Sequence, residues 1–192
     1  MRGGFRYGLM LVAGLGIGVG TAVVQLRQSF AAFGINNGPW HTGADIGTAD
    51  ASVSTRATVA LRGLLALPER EAIYFNATKD SAGRTLEGRC SYRVSGGAID
   101  ARWWSLTLYD AQGYLIPNPA SVYSVGSGAM STEEAAQWQV DIGRAKTGAH
   151  WIAMPDDQRF ELTLRAYHPS ADLLARRGSI ALPRIERGEC RT

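Results

Sequence analysis

Side chains able to do chemistry are few and widely spaced. Three histidines, His41, His150 and His168, are scattered through 192 residues, and none of the C-x-x-C, C-x-x-H or H-E-x-x-H spacings that gather metal ligands occurs. No metal site and no cofactor is expected. Ser105 sits in Trp-Trp-Ser-Leu-Thr rather than in the G-x-S-x-G turn that exposes a serine nucleophile, and no phosphate-cradling loop or carboxylate pair is present. No residue is therefore assigned a catalytic role. What remains are polar and aromatic side chains flanking expected strands: Trp104, Tyr109, Asn118, Tyr123, Arg165 and Tyr167. They are the best candidates to line a ligand pocket if one exists, while the simpler reading makes the rings core and Tyr109, Asp110 and Asn118 turn formers. Cys90 and Cys190 form an even pair, which in an oxidising compartment is expected to be bridged. Closing a loop of about 100 residues stabilises a domain by about 4.7 kcal/mol in the chain-entropy model.

These side chains need a frame, and most of the chain from residue 51 onward suggests strands. Residues 72–78 and 85–94 read as a hairpin around a turn at 80–83, and 103–109 alternate strongly before a turn at 110–113. Further strands are expected at 122–125, 137–142, 151–153, 160–167 and 180–182, with short helices at 131–136 and 170–177. Residues 51–67 carry apolar positions at helical spacing, stop at Pro68, and have Ser52 or Ser54 as N-cap. Short strands separated by Gly, Pro, Asn and Asp predict a mainly β domain over 51–192, a jelly-roll-like β-sandwich with short flanking helices.

The N-terminus follows a different rule. Residues 8–24 (GLMLVAGLGIGVGTAVV) hold no charge and follow Arg2 and Arg6. As a helix they measure about 26 Å, at the short end of what crosses a bilayer core. A cleaved signal peptide would need small residues directly after the apolar run, where Val23, Val24, Gln25, Leu26 and Arg27 stand. An uncleaved transmembrane helix is therefore expected over 1–28, in a bacterial inner membrane. Arg2 and Arg6 put its N-terminus in the cytoplasm and the domain in the periplasm. Gly14, Gly16, Gly18 and Gly20 make two overlapping G-x-x-x-G spacings, which predict packing against another transmembrane helix, from a second copy or from a larger membrane complex. Residues 29–50 lack a clear period and read as a linker or irregular lead-in, with Phe30, Phe33 and Trp40 suited to the membrane interface or equally to packing on the domain's edge.

Charge narrows the function further. The net charge of +3 is carried by Arg2, Arg6 and Arg27, and from residue 31 onward basic and acidic residues balance. A neutral domain without a basic cluster lacks the footprint for nucleic acid.

The segment RWWSLTLYDAQGYLIPNPASVYSVGS, residues 102–127, resembles the central motif of the bacterial family known as domain of unknown function 1214. HWIAMPDDQRFELTLRAYHP, residues 150–169, resembles its second block, with His150 where Asn is usual, and ALPRIER, residues 181–187, resembles its closing segment. The resemblance covers roughly 71–187 and implies a jelly-roll-like sandwich with no established activity. Many relatives carry an additional N-terminal soluble domain where this chain has its apolar segment. Two function classes follow: a noncatalytic binding module or accessory subunit, and an envelope enzyme with an unrecognised pocket site.

Overall fold

Period-two alternation organises this chain into two sheets that share one core. The computed structural model describes residues 2–32, 34–43, 46–61, 67–155 and 157–191. Among them are the strands β1 (Gly34–Asn37), β2 (Trp40–Gly43), β3 (Ala72–Ala77), β4 (Cys90–Gly97), β5 (Ala101–Asp110), β6 (Ser124–Gly126), β7 (Gln137–Gly143), β8 (Trp151–Ala153), β9 (Phe160–Pro169) and β10 (Arg184–Cys190). One sheet runs β1-β2-β3-β9-β5-β6 and the other β10-β4-β7-β8, with β7 and β8 parallel. This is a mainly β sandwich with few short helices, as expected.

The core is made of every second residue from both sheets. Phe75 of β3, Leu106 and Leu108 of β5, and Leu162 and Leu164 of β9 face Val94 of β4, Val140 and Ile142 of β7, and Ile185 of β10. Trp104 and Trp138 stack between them with ring centroids 4.3 Å apart. Fully burying one such aliphatic side chain contributes about 1.5–3 kcal/mol, so these inward rows dominate stability.

Local expectations fared unevenly. The turn at 80–83 forms, with Gly83 at φ 80° and its N–H donating to the Asp80 carbonyl at 2.9 Å. The expected hairpin forms only at its tip, where Lys79 and Thr85 bridge antiparallel and the Leu86 N–H donates to the Thr78 carbonyl at 2.9 Å, and it does not continue into the strands. β3 pairs with β2 and β9, whereas β4 pairs with β10 and β7 in the other sheet. Between them the chain crosses from one layer to the other, and the Leu86 side chain on that crossing is wholly buried. The last strand is β10, not 180–182. Part of the expected linker is a hairpin, β1–β2, that extends the six-stranded sheet. Of the two alternatives for Trp40, packing on the domain is the one that forms: it is a core residue at 1% exposure, and its Nε1 donates to the Pro183 carbonyl at 2.7 Å. Asn37 Nδ2 donates to the Ile180 carbonyl at 2.7 Å, so two side chains pin the hairpin to the segment before β10. Phe33 and the Phe30 side chain lie outside the described residues.

Two cysteines close the edge of the smaller sheet. Cys90 and Cys190 are opposite one another in the β4–β10 register and form a disulfide, as predicted.

The α-helices among the described residues are α1 (Arg2–Ala32), α2 (Val53–Leu61), α3 (Thr132–Ala136) and α4 (Ala171–Ala175). Ser52 Oγ accepts the Thr55 N–H at 3.1 Å, the N-cap expected for α2, while Leu64 and Leu65 lie outside the described residues. Ser131 and Glu134 make a capping box on α3. Among the described residues no helix is long and apolar enough to cross a membrane. The side chains of α1 are described without a break only over 10–24, short of the about 20 apolar residues a crossing takes, and four of these positions are glycine. The expected crossing is thus not shown by these residues.

Candidate functional site

Register decides which side chains of the larger sheet face away from the core. With Trp104, Leu106 and Leu108 of β5 inward, Trp103, Ser105, Thr107 and Tyr109 must point outward. Inward Leu162, Leu164 and Ala166 of β9 likewise turn Thr163, Arg165 and Tyr167 outward, and inward Ile73 and Phe75 of β3 turn out Tyr74 and Asn76. Pairing aligns Tyr74, Arg165 and Ser105 in one row across β3, β9 and β5, and Asn76, Thr163 and Thr107 in the next.

Arg165 is the centre of this face. Its Nη1 donates to Thr107 Oγ1 at 3.2 Å and its Nη2 to the Tyr109 hydroxyl at 2.7 Å. The guanidinium carbon lies 5.7 Å from the Tyr74 ring centre and 5.2 Å from that of Tyr109. Each such cation–π contact is worth about 0.5–2 kcal/mol, depending on desolvation. Burial pushes the Tyr74 phenol pKa up, against a hydrogen bond to the Leu67 backbone and the charge of Arg165, which both lower it. Ser105, Thr107 and Thr163 form a buried floor, where Thr163 Oγ1 donates to Asn76 Oδ1 at 2.8 Å. One row away the Trp103 and Tyr167 rings meet at 4.8 Å, and Trp103 remains 40% exposed. Among the described residues no carboxylate lies within ion-pair distance of Arg165. Such a surface can hold and orient a ligand. Among the described residues no group of His, Cys, Asp and Glu is placed to bind a metal.

Three of the six candidate lining residues, Tyr109, Arg165 and Tyr167, come together here. Trp104 does not, because it points into the core at 3% exposure. Asn118 shapes a loop: its Nδ2 donates to the Ile116 carbonyl at 3.2 Å and its Oδ1 accepts the Val122 N–H at 3.1 Å. Asp110 is likewise a turn former, accepting the N–H groups of Gln112 and Tyr114. Tyr123 is half-buried beside β5, where its backbone carbonyl accepts the Leu108 N–H at 3.2 Å. Tyr74, Trp103 and Thr107 belong to the face and were missed. Strand parity could have found two of them, since Trp103, Thr107 and Tyr109 share odd numbers and Trp104 does not.

A second polar cluster is structural. Asp80 is buried, its Oδ1 accepts the N–H groups of Ala82 at 3.0 Å and Arg84 at 2.9 Å, and its Oδ2 accepts Arg84 Nε at 2.8 Å. Arg187 Nε stands 3.4 Å from the same oxygen. Burial alone would raise the Asp80 pKa, but these hydrogen bonds and the Arg84 charge outweigh it and hold the carboxyl below its usual value. A shallow groove of about 500 Å³ opens beside this turn between Asn36, His41, Lys79 and Ser81, but the Asp80 oxygens are already engaged.

Residues 71–171 match the family model described as protein of unknown function (DUF1214). The fold is similar to the crystal structure of the VPA0106 protein from Vibrio parahaemolyticus, with a TM-score of 0.59 at 22% identity over 71% of this chain and 35% of that one. An uncharacterised protein from Burkholderia cenocepacia gives a TM-score of 0.42 at 18% identity, over 64% of this chain and 31% of that one. The chain thus spans about a third of the length of these two structures. No curated protein matches it.

Proposed function

The chain belongs to the DUF1214 family of proteins of unknown function, and we propose that it is a noncatalytic envelope module: a tethered, jelly-roll-like sandwich whose larger sheet binds a small molecule on its outer face. The observation that carries this reading is Arg165, a cation clamped between the rings of Tyr74 and Tyr109 on a face with a buried hydroxyl floor. Packing alone does not call for a guanidinium there, and an apolar residue would cover the sheet at lower desolvation cost.

The tether is α1. Its described apolar side chains are exposed, among them Leu11 at 71%, Val12 at 69% and Ile17 at 68%, and water leaves such a surface costly. Thr21 Oγ1 bonds back to the carbonyls of Ile17 at 2.9 Å and Gly18 at 3.0 Å, so its hydroxyl is satisfied within the helix, as an apolar surrounding demands. We place α1 in the bacterial inner membrane with Arg2 and Arg6 cytoplasmic, the sandwich periplasmic, and the glycine face against a partner helix.

Native mass spectrometry of the full chain, extracted from its own membranes in mild detergent, tests the binding reading. The wild type is expected to carry one small molecule that a folded Arg165→Met variant lacks. An adduct-free wild type, or an adduct kept by the variant, would count against it.

A further inference from the structure

Resting on that binding reading, we infer that the ligand presents an oxyanion, a carboxylate or phosphate group, to the Arg165 guanidinium and the Tyr109 hydroxyl. Arginine keeps its charge at every physiological pH, and a half-buried cation retains a desolvation cost until an anion offsets it. No described carboxylate does so. Glu161 lies opposite Tyr109 in the strand register, but beyond ion-pair reach of Arg165, and has an interaction of its own.

The donors are also of the right kind. A guanidinium has five N–H bonds, and the two engaged by Thr107 and Tyr109 leave others for a ligand. Two parallel N–H donors match the two oxygens of a carboxylate or phosphate. Tyr109 accepts from Arg165, so its own proton is directed to another acceptor and adds a third donor beside the fork. The tyrosine rings and Thr107 hold the guanidinium in place beforehand, which lowers the ordering entropy lost on binding. A neutral ligand would leave this charge unmatched.

Three probes separate charge from shape: benzoate, phenyl phosphate, and benzamide as the neutral counterpart of benzoate. Binding to the full chain in detergent is followed by saturation-transfer NMR at fixed salt. Benzoate or phenyl phosphate is expected to bind at least tenfold tighter than benzamide, and the stronger of the two identifies the anionic group. Arg165→Lys, which keeps the charge but loses the fork, should weaken the anion at least tenfold. Tyr109→Phe, which removes only a hydroxyl, should weaken it several-fold with the melting temperature nearly unchanged. Equal binding of benzoate and benzamide, or anion binding indifferent to both substitutions, overturns the inference. If the native adduct is lost in Arg165→Met yet neither anion binds, the oxyanion is wrong and the binding reading stands. If there is no adduct and no probe binds, both fall.

Discussion

Trp103 and Trp104 are neighbours in sequence and opposites in environment. Trp104 is buried against Trp138, while Trp103 is 40% exposed against Tyr167. Trp104→Ala should therefore cost about 3–5 kcal/mol in urea unfolding, and Trp103→Ala only about 1 kcal/mol. Equal costs would show that the two faces have been assigned wrongly. Asp80 supplies a pH test. Its folded-state pKa is lowered, so its contribution is fully present above the unfolded value of about 3.9 and is lost as pH falls through the folded one. Removing the charge leaves Arg187, 13% exposed, without its partner, so Asp80→Asn should cost about 3 kcal/mol at pH 7. That gap should narrow as the buffer is taken below about pH 4, which chemical unfolding of both proteins across the range will measure.

β10 is an edge strand that depends on more than its own pairing. Ile185 seals the core, Ser81 exchanges hydrogen bonds with Ile185, and the disulfide to Cys90 sits at its end. Replacing both cysteines by serine should lower stability by about 4 kcal/mol, less any strain relieved. Amide exchange should rise first along β10, because an edge strand paired on one side only opens most readily once its clip is gone. Uniform acceleration across both sheets would point to a global role instead. The glycines of α1 make a different element-level case. A Cβ added at Gly14, Gly16, Gly18 or Gly20 meets nothing within 4 Å, so nothing within the described chain requires them. Glycine also costs about 1 kcal/mol per position in helix propensity. Gly16→Leu with Gly20→Leu should keep the protein in the membrane fraction while releasing a partner helix, as read by copurification. Unchanged copurification would reduce the glycines to ordinary membrane composition.

For the molecule as a whole, the proposed tether is the feature with the widest consequence. An uncleaved α1 in the proposed membrane would hold the proposed binding face near the bilayer and limit what can reach it. N-terminal sequencing of membrane-extracted protein should begin at or next to Met1, and a start near Ala32 would make α1 a signal peptide. The two sheets depend on each other, since neither can bury its inner face alone. Unfolding should therefore be a single transition when followed by tryptophan fluorescence and by far-UV circular dichroism.

Much of this was legible in the chain itself, because alternation, turn residues and a paired cysteine count are local or compositional signals. The strands of β5, β7 and β9, the turns at Asp80 and Asp110, the cap at Ser52 and the Cys90–Cys190 pairing are of that kind. Strand partners are not local. Nothing near residue 80 says that β3 and β4 part into different sheets, because that depends on pairing with β9 and β10, which come about 80 to 110 residues later along the chain. The hairpin of β1 and β2 looked like a linker because its glycines and asparagines are turn-like, and tertiary contacts order it: Trp40 to Pro183, Asn37 to Ile180, and the pairing of β2 with β3. Among the candidate site residues, Tyr109, Arg165 and Tyr167 share a face because their strands pair in one register. Trp104 was grouped with them by type, and a one-residue step in a pleated strand sends it to the core instead.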